Sequence, residues 1–383
     1  MLNSRIYWVA LNHVKGIGAV RLRMLLDTFG SAQAAWHAPM DALRAAGLSA
    51  KVIENFLLMR QALDLAALEE RLQAQQIQVI LWEDEAYPQL LRSIAQPPPV
   101  LYVRGNLLPE DDWAVALVGT RRMTPYGRQV TEELSTLLAQ NGGTVVSGMA
   151  RGVDAVAHQT AIRSGGRTLA VLGCGVDRVY PPEHRALAEQ IIQHGALISD
   201  YAPGTPPDAV NFPPRNRIIA GLSRAIVVVE AGETSGALIT ADFAAEQGRE
   251  VFAVPGSIHA PQSKGPNRLI QNGARPLLNP TEILEMLNLN RVVEQRAARK
   301  ALPADPLESQ LLTLLSQEPL HVDELGMMAE LPIAQISSAL AMMELKGMVR
   351  QVGGMNYVAV RELPAEYQTL ESPVTSIDGE NHP

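Results

Sequence analysis

Between residues 114 and 254 the chain repeats one pattern. A short apolar, often β-branched run is followed by a loop holding glycine or proline, and then by a stretch of helical period. The runs predict strands over 114–118, 144–147, 168–172, 196–199, 225–229 and 250–254. The stretches between them predict helices over 125–140, 153–163, 184–194, 217–221 and 235–247. Strands this apolar are buried on both faces, and strands alternating with helices fold as a parallel sheet covered on two sides. The fold class is therefore α/β with a doubly wound sheet. Anionic ligands bind such sheets outside the carboxyl ends of the strands, so the loops after the strands are where function is sought.

Five of those loops carry glycine, most with a cation. The first holds Gly119, Arg121 and Arg122 ahead of a helix with Thr124 as N-cap and Pro125 at its first position, a layout suited to phosphate. It is neither Gly-x-Gly-x-x-Gly nor a Walker loop, which disfavours a dinucleotide or an ATPase site. The second holds Ser147, Gly148 and Arg151. Asp154 and His158 follow on one helix face, either as a catalytic dyad or as a helix-to-loop tether, and the tether is favoured because no nucleophile stands at a fitting spacing. In the third, Gly173 and Gly175 flank Cys174, and Arg185 stands at a helix start, facing a phosphate or solvent. Ser235 and Gly236 open a helix in the fourth, and Lys264, Asn267 and Arg268 line the fifth.

The stretch Phe212-Pro-Pro-Arg-Asn-Arg217 adds Arg215, Asn216 and Arg217 beside the strand at 225–229. Guanidinium forks match phosphate oxygens, while the alternative is a set of surface charges tied to nearby carboxylates. The two readings weigh equally on that stretch alone. Together the five loops describe an elongated anion groove, better matched to a polymer of phosphates than to one nucleotide. Aromatics are only 4% of the chain. Tyr126, Tyr180, Tyr201 and Phe212 are the ones near the groove; Phe212 is the candidate for base stacking, or else a buried anchor for the arginine loop. No catalytic constellation, metal-spaced cluster or cofactor motif is present in the sequence.

The 383 residues suffice for two or three domains. Residues 1–80 read as helical, and Val14-Lys-Gly-Ile-Gly-Ala19 resembles the turn of a helix-hairpin-helix module, with a purely structural bundle the favoured alternative. The α/β core is expected over 81–290 and a polar linker over 291–306. A winged helix of three helices and a hairpin is expected over 307–360, and a disordered acidic tail over 361–383. The presumed recognition helix at 332–346 has no arginine and carries a glutamate, so the winged helix is expected to meet protein rather than DNA. Net charge is −8, yet residues 291–383 carry 7 Lys+Arg against 13 Asp+Glu, leaving the core nearly neutral and a local arginine patch permitted. One cysteine excludes an intramolecular disulfide, and no signal peptide or membrane-spanning run is seen, so a cytoplasmic setting is expected.

Five motifs in order carry a family resemblance. Ser147-Gly-Met-Ala-Arg-Gly-Val-Asp154, Leu172-Gly-Cys-Gly-Val-Asp177, Phe212-Pro-Pro-Arg-Asn-Arg-Ile-Ile-Ala-Gly-Leu-Ser223, Ser235-Gly-Ala-Leu-Ile-Thr-Ala241 and Val254-Pro-Gly256 resemble the DNA-processing protein A family, DprA or Smf. The resemblance implies an extended Rossmann-like core, an N-terminal helical (helix-hairpin-helix or SAM-like) domain and a C-terminal winged helix. It further implies single-stranded DNA binding, a homodimer and a non-enzymatic role loading RecA onto incoming strands in natural transformation; from the sequence itself, neither a membrane partner nor a cofactor is expected. The family's basic DNA contacts carry over to Arg121, Arg215 and Arg217, and less firmly to Arg185. The alternative is a nucleotide-processing enzyme of the nucleoside monophosphate phosphoribohydrolase type, with Glu230 or Glu233 as its acid; a third reading is a duplex-binding regulator acting through the winged helix.

Overall fold

A computed structural model describes residues 3–286, 306–315, 319–329, 331–345 and 348–359. The chain divides into two compact units, residues 1–289 and 290–383. The expected linker before residue 306 and the expected tail after residue 360 lie outside the described residues.

The first unit opens with six helices, from α1 (Arg5–His13) to α6 (Leu65–Ala74). Their core, with Leu11, Trp36 and Phe56 at its centre, is continuous with Val100 and Tyr102 of the following sheet. The Tyr102 hydroxyl donates to Asn12 Oδ1 at 2.9 Å, and Arg5 forms an ion pair with Asp84, so the helices are bolted to the sheet edge.

Nine strands form that sheet: β1 (Gln78–Leu81), β2 (Val100–Gly105), β3 (Ala114–Val118), β4 (Thr144–Ser147), β5 (Arg167–Val171), β6 (Gly195–Ser199), β7 (Ala225–Val228), β8 (Glu250–Ala253) and β9 (Arg275–Pro276). The order is β1-β2-β6-β5-β4-β3-β7-β8-β9. Strands from β6 across to β9 run parallel, while β1 with β2 and β2 with β6 run antiparallel. The two-residue period of a strand sorts side chains between the faces. Leu169 and Val171 pack in one core with Ile218, Leu238 and Ala241, whereas Ala170 and Leu172 pack in another with Leu187 and Ile191. Each of the valine, leucine and isoleucine side chains among them contributes roughly 1.5–3 kcal/mol on full burial.

The helices that supply those faces follow the strands: α7 (Gln89–Arg92), α8 (Pro125–Gln140), α9 (Val153–Arg163), α10 (Arg185–His194), α11 (Phe212–Gly221), α12 (Gly236–Glu246), α13 (Lys264–Gln271) and α14 (Thr281–Met286). The chain leaves β3 through α8 toward β4, and leaves β7 through α12 toward β8, on the other side. Connections diverge between β3 and β7, and a crevice opens where they part.

Two differences from the sequence reading have clear causes. Strands β1 and β2 were not expected, and β1 spans the 80/81 domain boundary; Pro97-Pro-Pro99 and Gly105 punctuate the chain as a linker would, yet they flank a sheet strand. Helix α11 starts at Phe212 rather than 217, because Pro213 and Pro214 fill the first turn, where no backbone N–H is needed.

The second unit holds α15 (Pro306–Leu314), α16 (Val322–Ala329) and α17 (Ile333–Leu345) with a small sheet of β10 (Leu320–His321), β11 (Val349–Gln351) and β12 (Asn356–Ala359) in the order β10-β12-β11. Gly353 and Gly354 turn β11 into β12 at φ of 105° and 55°, a region that favours glycine. Leu311, Leu325, Ile336, Leu340 and Tyr357 close a separate core. This is a winged helix. Its third helix, α17, has no Lys or Arg, and Ile333 and Met342 on it are exposed. Among the described residues no single helix is long and apolar enough to cross a membrane.

Candidate nucleic-acid interface

At the β3–β7 parting lies a cleft of about 680 Å³, lined by residues of the loops after β3, β4 and β7 and by α11. Backbone approach shapes its floor. A Cβ on Gly119 would lie 2.6 Å from Val153 Cγ2 and 2.9 Å from the Glu230 carbonyl oxygen, so only glycine fits. The Thr120 N–H donates to that same carbonyl at 2.7 Å.

The Glu230 side chain is buried and works as a clamp. Its carboxylate accepts from the Thr124 N–H at 2.8 Å and from the Thr124 hydroxyl at 2.5 Å. Gly127 packs against the same carboxylate. The negative charge thus sits at the N-terminus of α8, where the helix dipole favours it. This fixes the 119–124 loop while leaving its two arginines outside. Arg121 and Arg122 are exposed, line the cleft, and have no side-chain partner among the described residues.

The arginines of α11 behave differently. Arg215 is buried, and its guanidinium donates to the Gly148 carbonyl at 3.0 Å, to the Val171 carbonyl and to Asn216 Oδ1 at 3.3 Å. It ties the ends of β4 and β5 together and reaches the cleft with what remains; burial holds its pKa below the usual arginine value, against the pull of Asp154. Arg217 points to the other side of the helix, donates to Asp200 Oδ2 and the Gln96 carbonyl at 2.6 Å each, and does not line the cleft. Burial pushes the Asp200 carboxyl up and Arg217 pulls it down.

Asp154 is a tether, not half of a dyad. Its Oδ2 accepts from the Gly148 N–H at 3.1 Å and the Ala150 N–H at 3.2 Å, holding the β4–α9 loop. His158 instead meets Thr168, with Nδ1 2.6 Å from the hydroxyl oxygen. That hydroxyl donates to the Val145 carbonyl at 2.8 Å, so Nδ1 carries the proton. Burial first, then the nearby His184 and Arg215, push the His158 pKa down to about 3. Cys174 is buried, and burial raises its thiol pKa to about 11, which leaves it a poor nucleophile.

An aromatic pair stands over this floor. Tyr180 and Phe212 lie 5.6 Å apart at a tilt of 37°, and the Arg215 guanidinium is 5.7 Å from the Phe212 ring. Gly173 lets the ring in, since a Cβ there would fall 2.8 Å from Phe212 Cδ1. A small recess beside the cleft is lined by Arg121, Gly148, Arg151, Tyr180, Phe212 and Arg215.

The remaining candidates fall into three groups. Asn216, Ser235 and Gly236 line the cleft; Asn216 Nδ2 donates to the Gly236 carbonyl at 3.1 Å, and Ser235 caps α12. Ser147 is buried and donates to the Leu117 carbonyl at 2.6 Å, and Asn267 exchanges two hydrogen bonds with the Gly256 backbone, so both act as struts. Arg185 is exposed away from the cleft, while Lys264 pairs with Glu233 at 3.3 Å without lining it. Of the other aromatics, Tyr126 donates to the Pro255 carbonyl and Tyr201 to the Asn211 carbonyl. Tyr180, one of the aromatics that the sequence puts near the groove, lines the cleft, whereas Thr120 and Thr234 line it too and are not singled out by the sequence. No group of three or more side chains suited to a metal occurs among the described residues.

Residues 78–288 match the family model for DNA recombination-mediator protein A. The chain belongs to that family. Its match begins at the first residue of β1, which places the antiparallel β1–β2 extension inside the family core. Residues 295–355 match the DprA winged helix domain. Protein Smf of Synechocystis sp. is 37% identical over 395 residues, covering 93% of this chain and 99% of the relative. The solved DNA processing protein A of Streptococcus pneumoniae is 33% identical at a TM-score of 0.64, covering 74% of this chain and 98% of that one. That of Helicobacter pylori, described for its unique single-stranded DNA binding mode, is 30% identical at a TM-score of 0.51, covering 56% and 97%.

Proposed function

We propose that the cleft binds single-stranded DNA, and that the chain acts as a recombination mediator delivering that strand to RecA during natural transformation. The observation that carries this reading is the pairing of two arginines without a side-chain partner among the described residues, Arg121 and Arg122, with the Tyr180–Phe212 aromatic pair in one open cleft. Cations track the backbone, and aromatic rings take unstacked bases, which a duplex does not offer. The Helicobacter pylori relative, described as binding single strands, supports the same ligand. Arg151, Asn216, Ser235 and Gly236 are proposed as further contacts, with Arg215 shaping the base-side wall. A homodimer is part of the proposal.

We assign no catalytic step. Of the two candidate acids for a phosphoribohydrolase, Glu230 has both oxygens committed to Thr124, and Glu233 faces Lys264. The test compares a labelled single strand with its duplex and with nucleoside monophosphates, followed by RecA filament nucleation on the bound strand. Preferential strand binding and faster nucleation are expected; release of free base from a monophosphate would overturn the reading in favour of the enzyme.

A further inference from the structure

Arg151 lines the recess next to the cleft, yet it is not free. Its Nε donates to Glu183 Oε1 at 2.6 Å, and the two side chains are 55% and 49% exposed. A pair this open contributes little to folding. Its position is the informative part. Glu183 belongs to the short turn Pro182–His184, three residues after Tyr180, and His184 Nδ1 of that turn lies 3.0 Å from the Met149 carbonyl. The segment 180–184 therefore crosses the β4–α9 loop, bringing Tyr180 to Phe212 and the Glu183 carboxylate to Arg151. Arg121, the neighbouring cation of the same recess, has no such partner among the described residues.

A carboxylate offers a guanidinium the same planar pair of anionic oxygens that a phosphodiester offers. We propose that Glu183 is an intramolecular phosphate mimic, which competes with the nucleic-acid backbone for Arg151 and is displaced when a strand binds. The inference rests on the strand-binding reading and names a regulating residue of that site. Its own backbone N–H first, and Arg151 next, hold the Glu183 carboxyl below the usual range, so the competitor stays charged at neutral pH. Exchanging the carboxylate for a phosphodiester replaces one monoanion by another, so a single isolated diester gains little from it. A strand already held by Arg121, Arg122 and the aromatic pair presents its next phosphate at high effective concentration and does displace Glu183. Glu183 thereby favours a strand held at several points over a single isolated phosphodiester.

The test is a double-mutant cycle in the full chain, read by anisotropy of a labelled oligothymidylate at low salt, with thermal melts confirming the fold of each variant. Glu183→Gln is expected to tighten binding by about two- to fivefold, the range an exposed ion pair supports. In the Arg151→Ala background the same substitution is expected to change nothing, because its target is gone. Equal tightening in both backgrounds would show a general field effect and overturn the proposal, as would no tightening in the native background. Failure of the native chain to bind the strand at all would instead bring down the strand-binding reading, and the inference with it.

Discussion

The loop after β3 and the helix α11 both bring two arginines to the edge of one sheet, and they use that charge in opposite ways. In the loop, Glu230 fixes the backbone and leaves Arg121 and Arg122 exposed, with no side-chain partner among the described residues. In α11, the guanidiniums of Arg215 and Arg217 are committed to protein carbonyls and to Asp200. The first pair is available to a ligand and the second holds the site in shape. A cation near a site is thus a different thing from a cation open to a ligand, and burial decides between them.

That contrast can be broken at several points. The largest effect belongs to Arg215→Ala, which strands the Gly148 and Val171 carbonyls and leaves Asp154 without its neighbouring charge. A loss of about 3–5 kcal/mol is expected in urea unfolding, as for removing one member of a buried charged network. A loss no larger than that of a surface substitution would make Arg215 equivalent to Arg121 and erase the comparison.

His158 probes the same buried side by pH. The folded histidine resists protonation down to about pH 3, whereas an unfolded one protonates near 6.5. Between those values the unfolded state binds more protons, so stability falls as pH falls. From pH 6.5 to 5 the native chain should lose about 1.6 kcal/mol more than His158→Gln does. Parallel loss in the two would mean that the buried imidazole is not the acid-sensitive group.

On the open side the effects move to binding. Replacing Arg121 and Arg122 together by alanine should leave urea stability unchanged and weaken single-strand binding about tenfold or more. The salt slope should flatten by about 0.7 for each phosphate that is no longer neutralised. Tyr180→Ala should cost about fivefold in strand affinity, the low end for one stacked base, with little change for duplex. An equal loss for strand and duplex would remove base stacking from the account.

Much of the core was legible because its strands are short, apolar and buried on both faces, as with β3 and β4, whose bounds coincide with the predicted runs. Strands β1 and β2 were not, since antiparallel pairing at a sheet edge leaves no strand–helix alternation to read. At the site, the glycine-bearing loops identified the crevice, as the fit of Gly119 against Val153 makes plain. What sequence left open was how each arginine is used. Arg215 and Arg217 are two residues apart, so on a helix they face different ways; one closes on two strand ends and the other on Asp200. Spacing gave the direction, but the partners come from the ends of β4, β5 and β6, which only the folded sheet brings together. The same holds for Glu183, whose meeting with Arg151 joins positions 32 residues apart.

The central claim is that free arginines beside an aromatic pair make this cleft a single-strand site. The most direct measurement is anisotropy of a labelled single strand and its duplex across a salt series, with the native chain and the Arg121/Arg122 double alanine variant side by side. The account predicts tight, salt-steep binding that favours the single strand and is weakened, with a flatter slope, in the variant. Equal affinity for duplex, or a variant that binds as the native chain does, would contradict it.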